Sequence, residues 1–457
     1  MVFPGIADIA FAIVVVLLTG QRAPAGSYTI VDTGQRHCFS DTGQLRKAPR
    51  PGEPFFGQDA FYQTARPRYR DNGDGTVTDL NTGLMWQKTP DLAARRTFAE
   101  ALAGAKKCRL GGYTDWRVPT IKALYSLIDF NGCVTAREPV PYINTKYFDF
   151  RFGDPGKGER IIDAQYWSST QYVGLTMRGD ATVFGVNFAD GRIKGYPRDR
   201  SPRGRPARHF VRYVRGSGDY GENRFVNNGD GTISDLATGL MWARADSGRT
   251  MNWQQALAYC ENLKLAGHDD WRLPNAKELQ SIVDYTRAPD ARRPDRRGAA
   301  IDPVFGITDT ESWFWSSTTH LDGRRLGRRA VYVAFGRATG YMPDRRTGLK
   351  RKLNVHGAGA QRSDPKSGDP GDWAGGFGPQ GDEIRIYNCA RAVRNIDAGA
   401  VKRVQPATTA LPHKMPLRRR PRRPPPPFPA RRRDREGPKA VSPAQRPGWS
   451  DGTRRQP

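Results

Sequence analysis

The chain has 457 residues, of which 37% are hydrophobic and ten are Trp, so it contains enough apolar material for folded cores. Its 50 Gly and 35 Pro favour turns and loops over long helices, and its composition excludes a fibrous or collagen-like protein. The formal net charge is +27, and about half of the excess lies in residues 401–457. A field of this sign attracts polyanions such as nucleic acid, acidic polysaccharide and anionic lipid, and charge alone does not choose among them.

The N-terminus has the pattern of a signal peptide. The apolar run Ile9–Leu18 is too short to span a bilayer and suits a signal-peptide core. Ala23 and Ala25 form a small-x-small cleavage pattern. We therefore expect a signal peptide at 1–25, an N-terminal extension at 26–66, and a protein exported to the periplasm, envelope or medium. A mis-assigned start codon or an uncleaved anchor is the alternative.

The rest of the folded chain consists of two tandem copies of one sequence unit. The blocks DNGDGTVTDLNTGLMW (71–86) and NNGDGTISDLATGLMW (227–242) begin the two units. A helical block follows at 97–130 and 252–285, then YWSST (166–170) and FWSST (314–318), then a closing segment at 210–216 and 389–395. Because four blocks recur in the same order, we expect two homologous copies at 67–216 and 217–400.

Each copy is predicted to be an α+β unit. The Asn-Gly-Asp-Gly turn leads into a short β-meander. A first helix begins at a capping box, Thr97 with Glu100 and Asn252 with Gln255. A second helix and further strands give two helices on a curved antiparallel sheet. The Trp residues expected in the core are Trp86, Trp116, Trp167, Trp242, Trp271 and Trp315. A ligand platform is the alternative for the two in Asp-Trp-Arg, Trp116 and Trp271.

The five cysteines are interpreted as a disulfide framework. Cys260 and Cys389 are both replaced in the first copy, by Ala105 and Phe210. Such joint loss is typical of a bridge, so we expect Cys260–Cys389 in the second copy and Cys108–Cys133 in the first. Cys38 would then be free or paired between chains. Metal ligation is the weaker alternative, because no Cys-x-x-Cys pair is present.

The repeated blocks resemble the Lcl C-terminal domain family. The residues that carry the resemblance are DGTVTDLNTGLMW, GGYTDWRVPTIKALYSLID and WSST in the first copy, and DGTISDLATGLMW, AGHDDWRLPNAKELQSIVD and WSST in the second. The resemblance implies two tandem C-type-lectin-like domains. The family's namesake is the terminal domain of a collagen-like bacterial adhesin that binds glycosaminoglycans. This chain has no collagen repeat, so that adhesin's architecture does not transfer.

Basic residues are the candidate ligand-binding groups. The segment between WSST and the closing strand is longer in the second copy and includes 356–381, rich in Gly, Pro and Asp, and long loops often carry binding residues. Arginine forks there suit sulfate or carboxylate groups, and a solvated loop is the equal alternative. The candidates are Arg324, Arg325, Arg328, Arg329, Arg345, Arg346, Lys350, Arg351 and Lys352 in the second copy, and Arg198, Arg200, Arg203 and Arg205 in the first.

The sequence favours a binding protein over an enzyme. It contains no nucleophile elbow, P-loop, HExxH or dinucleotide fingerprint, and we predict no catalytic residue, metal or cofactor. We expect contact with acidic glycan or another polyanion, assisted by a disordered basic, Pro-rich tail at 401–457. A poorly selected extension is the equal alternative for the tail. An envelope component that binds protein partners is the alternative. A cryptic enzyme related to the formylglycine-generating fold is the third possibility.

Overall fold

The computed structural model describes residues 27–201, 204–323, 325–344, 346–397 and 402–411. The predicted signal peptide at 1–25 and residues 412–457 of the basic tail lie outside these ranges. Among the residues described, no helix has the length and apolarity needed to cross a membrane.

The helices and strands repeat in the same order in both copies. Strand β1 (Tyr62–Gln63) precedes the first copy. The first copy contains β2 (Tyr69–Asp71), β3 (Thr76–Asp79), β4 (Met85–Gln87), α1 (Phe98–Lys107), α2 (Ile121–Tyr125), β5 (Gln165–Gln171), β6 (Thr182–Asn187), β7 (Arg192–Pro197) and β8 (Val214–Arg215). The second copy contains β9 (Phe225–Asn227), β10 (Thr232–Asp235), β11 (Leu240–Ala243), α3 (Trp253–Glu261), α4 (Ala276–Ser281), β12 (Trp313–His320), β13 (Arg329–Ala334), β14 (Thr339–Pro343), β15 (Lys350–Asn354), β16 (Gln361–Pro365) and β17 (Val393–Asn395). Strand β18 (Lys402–Arg403) comes last. The α+β prediction is confirmed.

Each copy has a small antiparallel sheet built on its Asn-Gly-Asp-Gly turn. The strand orders are β2-β3-β4-β8 and β9-β10-β11-β17. The Asp74 carboxylate accepts the Thr76 amide at 3.0 Å, and Asp230 accepts that of Thr232 at the same distance. These Asx turns satisfy the backbone without a metal and start the next strand.

The helices begin where the sequence predicts. Both capping boxes form, Thr97 with Glu100 and Asn252 with Gln255. The second helices are short and are capped by Thr120 and Asn275. All six Trp residues predicted for the core are at most 4% exposed: Trp86, Trp116, Trp167, Trp242, Trp271 and Trp315. Their interior position contradicts the ligand-platform alternative for Trp116 and Trp271.

The two copies share a six-stranded antiparallel sheet. Its order is β12-β13-β16-β7-β6-β5, so each copy contributes three strands. The copies meet where Gln361 of β16 pairs with Ile193 of β7. The hairpin β14–β15 is inserted between β13 and β16 and has no counterpart in the first copy. The repeats alone predict two successive domains at 67–216 and 217–400. The described residues instead form one compact unit around this shared sheet.

Buried ion pairs lie at the junction of the copies. The Asp190 carboxylate forms ion pairs with Lys194 at 2.5 Å and with Arg192 at 3.3 Å. The Arg192 guanidinium also pairs with Asp322 of the second copy at 2.8 Å. Asp382 likewise pairs with Arg362. Removing one member of such a pair leaves an uncompensated buried charge, which costs about 3–5 kcal/mol. The charges therefore fix how the copies meet.

An N-terminal strap, defined as residues 27–61, crosses the copy boundary. The Gln35 carboxamide bonds both the amide and the carbonyl of Thr319, at 2.9 and 2.5 Å. Asp59 accepts hydroxyl hydrogen bonds from Thr33 and Thr318, at 2.8 and 2.5 Å. Burial raises the pKa of Asp59 to about 7, and Asp32 adds to the effect.

The described part of the tail is attached to this strap region. Strand β18 pairs with β1 through Tyr62 with Arg403 and Gln63 with Lys402. Ala407 forms a bridge with His37. Residues 402–411, which the sequence boundary assigned to the tail, therefore belong to the folded unit.

The two predicted disulfides are wrong, because all five cysteines are free thiols. Cys260 lies in an apolar cluster with Trp253 and Trp271, whereas Cys389 belongs to a different cluster and its sulfur contacts Ser312 Oγ at 3.6 Å. A buried thiol behaves as a small apolar side chain, so the replacements in the first copy need no lost bridge.

The Cys108–Cys133 pair is separated in the same way. Cys108 caps α1 at its C-terminal end and is partly exposed. Cys133 is buried in a cluster with Phe39 and Leu321. Cys38 is also a buried free thiol.

The strap predicts a pH effect on stability. The folded pKa of Asp59 is raised to about 7, above its unfolded value of about 3.9. Its contribution is therefore complete below about pH 4 and is lost as pH rises through 7. Asp59→Asn keeps both acceptor contacts and should be more stable than the wild type by about 2–4 kcal/mol at pH 8, but not at pH 4. Urea unfolding at both pH values measures this difference, and an equal effect at the two would contradict it.

The free thiols predict a labelling pattern. Cys108 is partly exposed and the other four thiols are buried, so a maleimide should modify Cys108 alone in the native protein. Cys108→Ser should abolish that label. After denaturation without reductant, all five thiols of the wild type should react. Recovery of a single reactive thiol under those conditions would restore the disulfide interpretation.

Candidate functional site

The structure separates the predicted basic residues into distinct environments. Arg203, Arg324 and Arg345 lie outside the described residues. Arg329 is buried: it donates to Ser363 O at 2.8 Å and stacks on the Phe377 ring at 4.2 Å. Its prediction as a surface ligand-binding residue is therefore wrong, because burial commits its guanidinium to packing. The candidates with exposed side chains are Arg200, Arg205, Arg325, Arg328, Arg346, Lys350, Arg351 and Lys352. Arg198 is half-buried and pairs with Asp199.

The hairpin β14–β15 brings three of these cations to the second copy's surface. Lys350 Nζ donates to Gly375 O at 2.8 Å, and Lys352 pairs with Glu383 at 2.7 Å. Arg351 is 3.9 Å from Asp344, a carboxylate at the hairpin's own turn. Since side chains alternate along a strand, Lys350 and Lys352 share one face and Arg351 has the other.

An aromatic cleft lies beside the face that carries Lys350 and Lys352. It encloses about 300 Å³ and is lined by Tyr341, Pro370, Trp373, Ala374, Glu383, Ile384, Arg385 and Tyr387. We call these residues the aromatic cleft. Tyr387 is 41% exposed, so it offers a ring face to solvent. Contiguous exposed apolar surface rimmed by polar residues is typical of binding sites.

Contacts with neighbouring side chains hold Trp373 and Arg385 of the cleft in place. Phe377 meets the Trp373 ring edge-on, with centroids 5.5 Å apart, and Arg329 lies over both rings. Arg385 stacks on buried Trp313 at 3.7 Å and donates to Glu311 O at 2.8 Å. The rings and the cation are therefore held in place before any ligand arrives, which lowers the entropy cost of binding.

Backbone strain is concentrated at one residue beside the cleft. Ile386 is buried and has φ +63°, a conformation that is rare for a β-branched residue. The Asp364 carboxylate holds it there by accepting the amides of Arg385 and Ile386 at 3.0 and 3.1 Å. Strain of about 1–3 kcal/mol persists where surrounding contacts enforce it, and such positions cluster at ligand sites.

Of the lining residues that the structure describes, Glu383 is the one carboxylate. Burial favours a higher pKa for Glu383, but the hydrogen bonds from Lys352 and Thr339 outweigh burial, so the pKa is lowered. The group is therefore an ionised acceptor near neutral pH. Together, the rings, an acceptor and the cations Lys350, Lys352 and Arg385 suit a ligand with apolar ring faces, hydroxyl groups and negative charge.

The sequence missed the aromatic members of this cleft. Its basic-loop hypothesis correctly placed Lys350 and Lys352 at the surface, but the rings were not considered. Trp373 lies between β16 and β17, a segment that is longer in the second copy than the one between β7 and β8 of the first, whereas Tyr387 aligns with Arg208. An aromatic residue in this longer segment was the available signal.

Comparison with known proteins identifies the repeated pattern. A family model described as the Lcl C-terminal domain matches residues 75–215 and 231–351. No curated protein matches the chain, and no solved structure does. The second family match ends on β15, so residues 370–387, which complete the aromatic cleft, lie beyond it.

Proposed function

Because this chain belongs to the Lcl C-terminal domain family in two tandem copies, we propose that it is an adhesin-like binding protein that takes acidic glycan in its aromatic cleft. The observation that carries the proposal is the placement of Trp373 and Tyr387 beside Lys350, Lys352 and Arg385. The rings would stack on sugar faces while the cations would bind sulfate or carboxylate groups.

The proposal does not include catalysis. Glycoside hydrolysis ordinarily uses two carboxyl groups, one of them kept protonated as an acid. Among the described residues that line the cleft, Glu383 is the one carboxylate, and its lowered pKa opposes that role. A binding role therefore uses all the groups present, and an enzymatic one would need groups that the lining does not supply.

Three finer statements accompany the proposal as predictions of the sequence. They are the C-type-lectin-like architecture, export from the cytoplasm, and added affinity from the basic tail. The alternative is an envelope component that binds protein partners. We favour the glycan because aromatic rings beside cations suit a ligand that has both sugar faces and acidic groups.

The proposal predicts a ring-dependent affinity for a sulfated glycan. Trp373→Ala should weaken binding of a heparin octasaccharide about tenfold, because a central aromatic contact is lost. Tyr113→Ala is the matched control, since Tyr113 is an exposed aromatic of the first copy outside the cleft. Titration calorimetry on the full chain and on a chain ending at Leu411 separates the cleft from the tail. Equal affinities for wild type and Trp373→Ala in the shorter chain would refute the cleft.

The same site predicts a salt effect. Affinity should fall as salt rises, because exposed charges are screened. Replacing both Lys350 and Lys352 with Gln should make that fall shallower in the shorter chain, as measured by titration over a series of salt concentrations. An unchanged dependence on salt would show that these lysines do not contact the anion.

A further inference from the structure

The junction of the copies contains a second groove of a different kind, at the N-terminal end of α2. It encloses about 450 Å³ and is open to solvent on one side. The first copy contributes Lys122, Thr170 and Gln171, and the second contributes Tyr285 and Thr286. We call this the open groove.

The open groove has a filled counterpart in the same chain. In the repeat alignment, Lys122 corresponds to Lys277, Thr170 and Gln171 to Thr318 and Thr319, and Tyr285 and Thr286 to Phe130 and Asn131. The second set surrounds residues 32–36 of the strap. One groove is thus made by α2, β5 and residues after α4, and the other by α4, β12 and residues after α2.

The strap shows what such a groove recognises. Thr33 O accepts the Phe130 amide at 2.8 Å, and Gly34 O accepts Asn131 Nδ2 at 2.9 Å. Gln35 adds its two bonds to the Thr319 main chain. The groove therefore binds a peptide that turns at Gly34, where φ is +88°, mainly through backbone groups and one carboxamide side chain.

The matching groups of the open groove lack these partners. Within the ranges that the structure describes, the Tyr285 amide has no acceptor, whereas its counterpart in Phe130 binds the strap. The Thr170 hydroxyl accepts the Ile121 amide at 3.0 Å, but its proton has no acceptor there. In the second copy, the corresponding proton of Thr318 goes to Asp59.

Gln171 presents its main chain to the open groove. Strand β5 ends the shared sheet, and the amide of the next residue, Tyr172, donates inward to Thr182 at 2.9 Å. Because main-chain groups alternate in direction along a strand, those of Gln171 face outward. Lys122 differs from Lys277, since Gly221 and Asn223 already satisfy its amine at 2.8 Å.

From this equivalence we propose that the open groove binds a peptide segment of a partner protein with the turn that the strap makes at Gly34. The segment presents carbonyl groups to the Tyr285 amide and a Gln or Asn side chain to the Gln171 main chain. The strap of another molecule of this protein is not the occupant, because Thr33 and Gln35 are buried in the filled groove of their own chain. The proposal is independent of glycan binding, which is proposed for a different surface, the aromatic cleft of the second copy.

The groove's charges favour a basic residue in the partner segment. Glu222, Asp284 and Asp302 line it together with Arg296 and Lys122, whose charge is already surrounded by acceptors. The strap itself follows Gln35 with Arg36. A peptide with the strap sequence IVDTGQRH, residues 30–37, is therefore a suitable probe.

Calorimetric titration of this peptide into the full chain tests the proposal. One peptide should bind per chain. Gln171→Pro removes the outward amide donor at an edge strand, where proline is tolerated, and should weaken binding about tenfold or more. Gln171→Ala keeps the main chain and should bind as the wild type does. A peptide with leucine in place of its glutamine should also bind at least about tenfold more weakly.

Four outcomes would overturn the proposal. They are no saturable binding to the wild type, equal binding to Gln171→Pro, equal binding of the leucine peptide, and a wild-type dimer that Gln171→Pro dissociates. The last outcome, measured by sedimentation, would place another molecule of this protein in the groove. Thermal unfolding of Gln171→Pro checks that the variant is folded.

Discussion

The structure depends on a buried, balanced set of charges where β7 of the first copy meets β16 of the second. The carboxylates Asp190, Asp322 and Asp382 face the cations Arg192, Lys194 and Arg362. Burial, with Arg192 nearby, lowers the pKa of the adjacent His320 to about 3, so that ring stays neutral and does not disturb the balance. A buried pair adds little net stability, but separating its members leaves uncompensated buried charges, so arrangements that break the set are disfavoured. Here the arrangement chosen is a continuous sheet across two copies.

That junction lets two homologous copies acquire different tasks. It creates two related grooves, of which the strap closes one and leaves the other open. It also leaves two connections of the second copy free to lengthen, β13–β16 into the hairpin and β16–β17 into most of the aromatic cleft, because the added residues do not enter the shared sheet. Duplication therefore supplies the scaffold, and the segments that break the repeat supply the surfaces proposed for binding.

Structural features that occur in both copies could be predicted from the sequence, and most features that occur once could not. The capping boxes, the Asn-Gly-Asp-Gly turns and the six core Trp residues follow from local patterns that occur twice, and all were predicted. The strap contact between Gln35 and Thr319 spans 284 positions, and no local pattern encodes such a pairing. The disulfide prediction failed because joint absence of Cys260 and Cys389 indicates shared burial as readily as a bond. The basic residues were located correctly as surface groups where the chain is a hairpin, but Arg329 lies in β13 and packs inward. Charge alone could not distinguish those cases.

The most direct test of this account is native-state hydrogen exchange at rising urea, followed in β6 of the first copy and β13 of the second. If the shared sheet and its buried charges join the copies, amides in both strands should exchange through the same global opening, with equal free energies and equal dependence on urea. If β6 and β13 opened at different free energies and with different urea dependence, the copies would be separate folding units and the account would be contradicted.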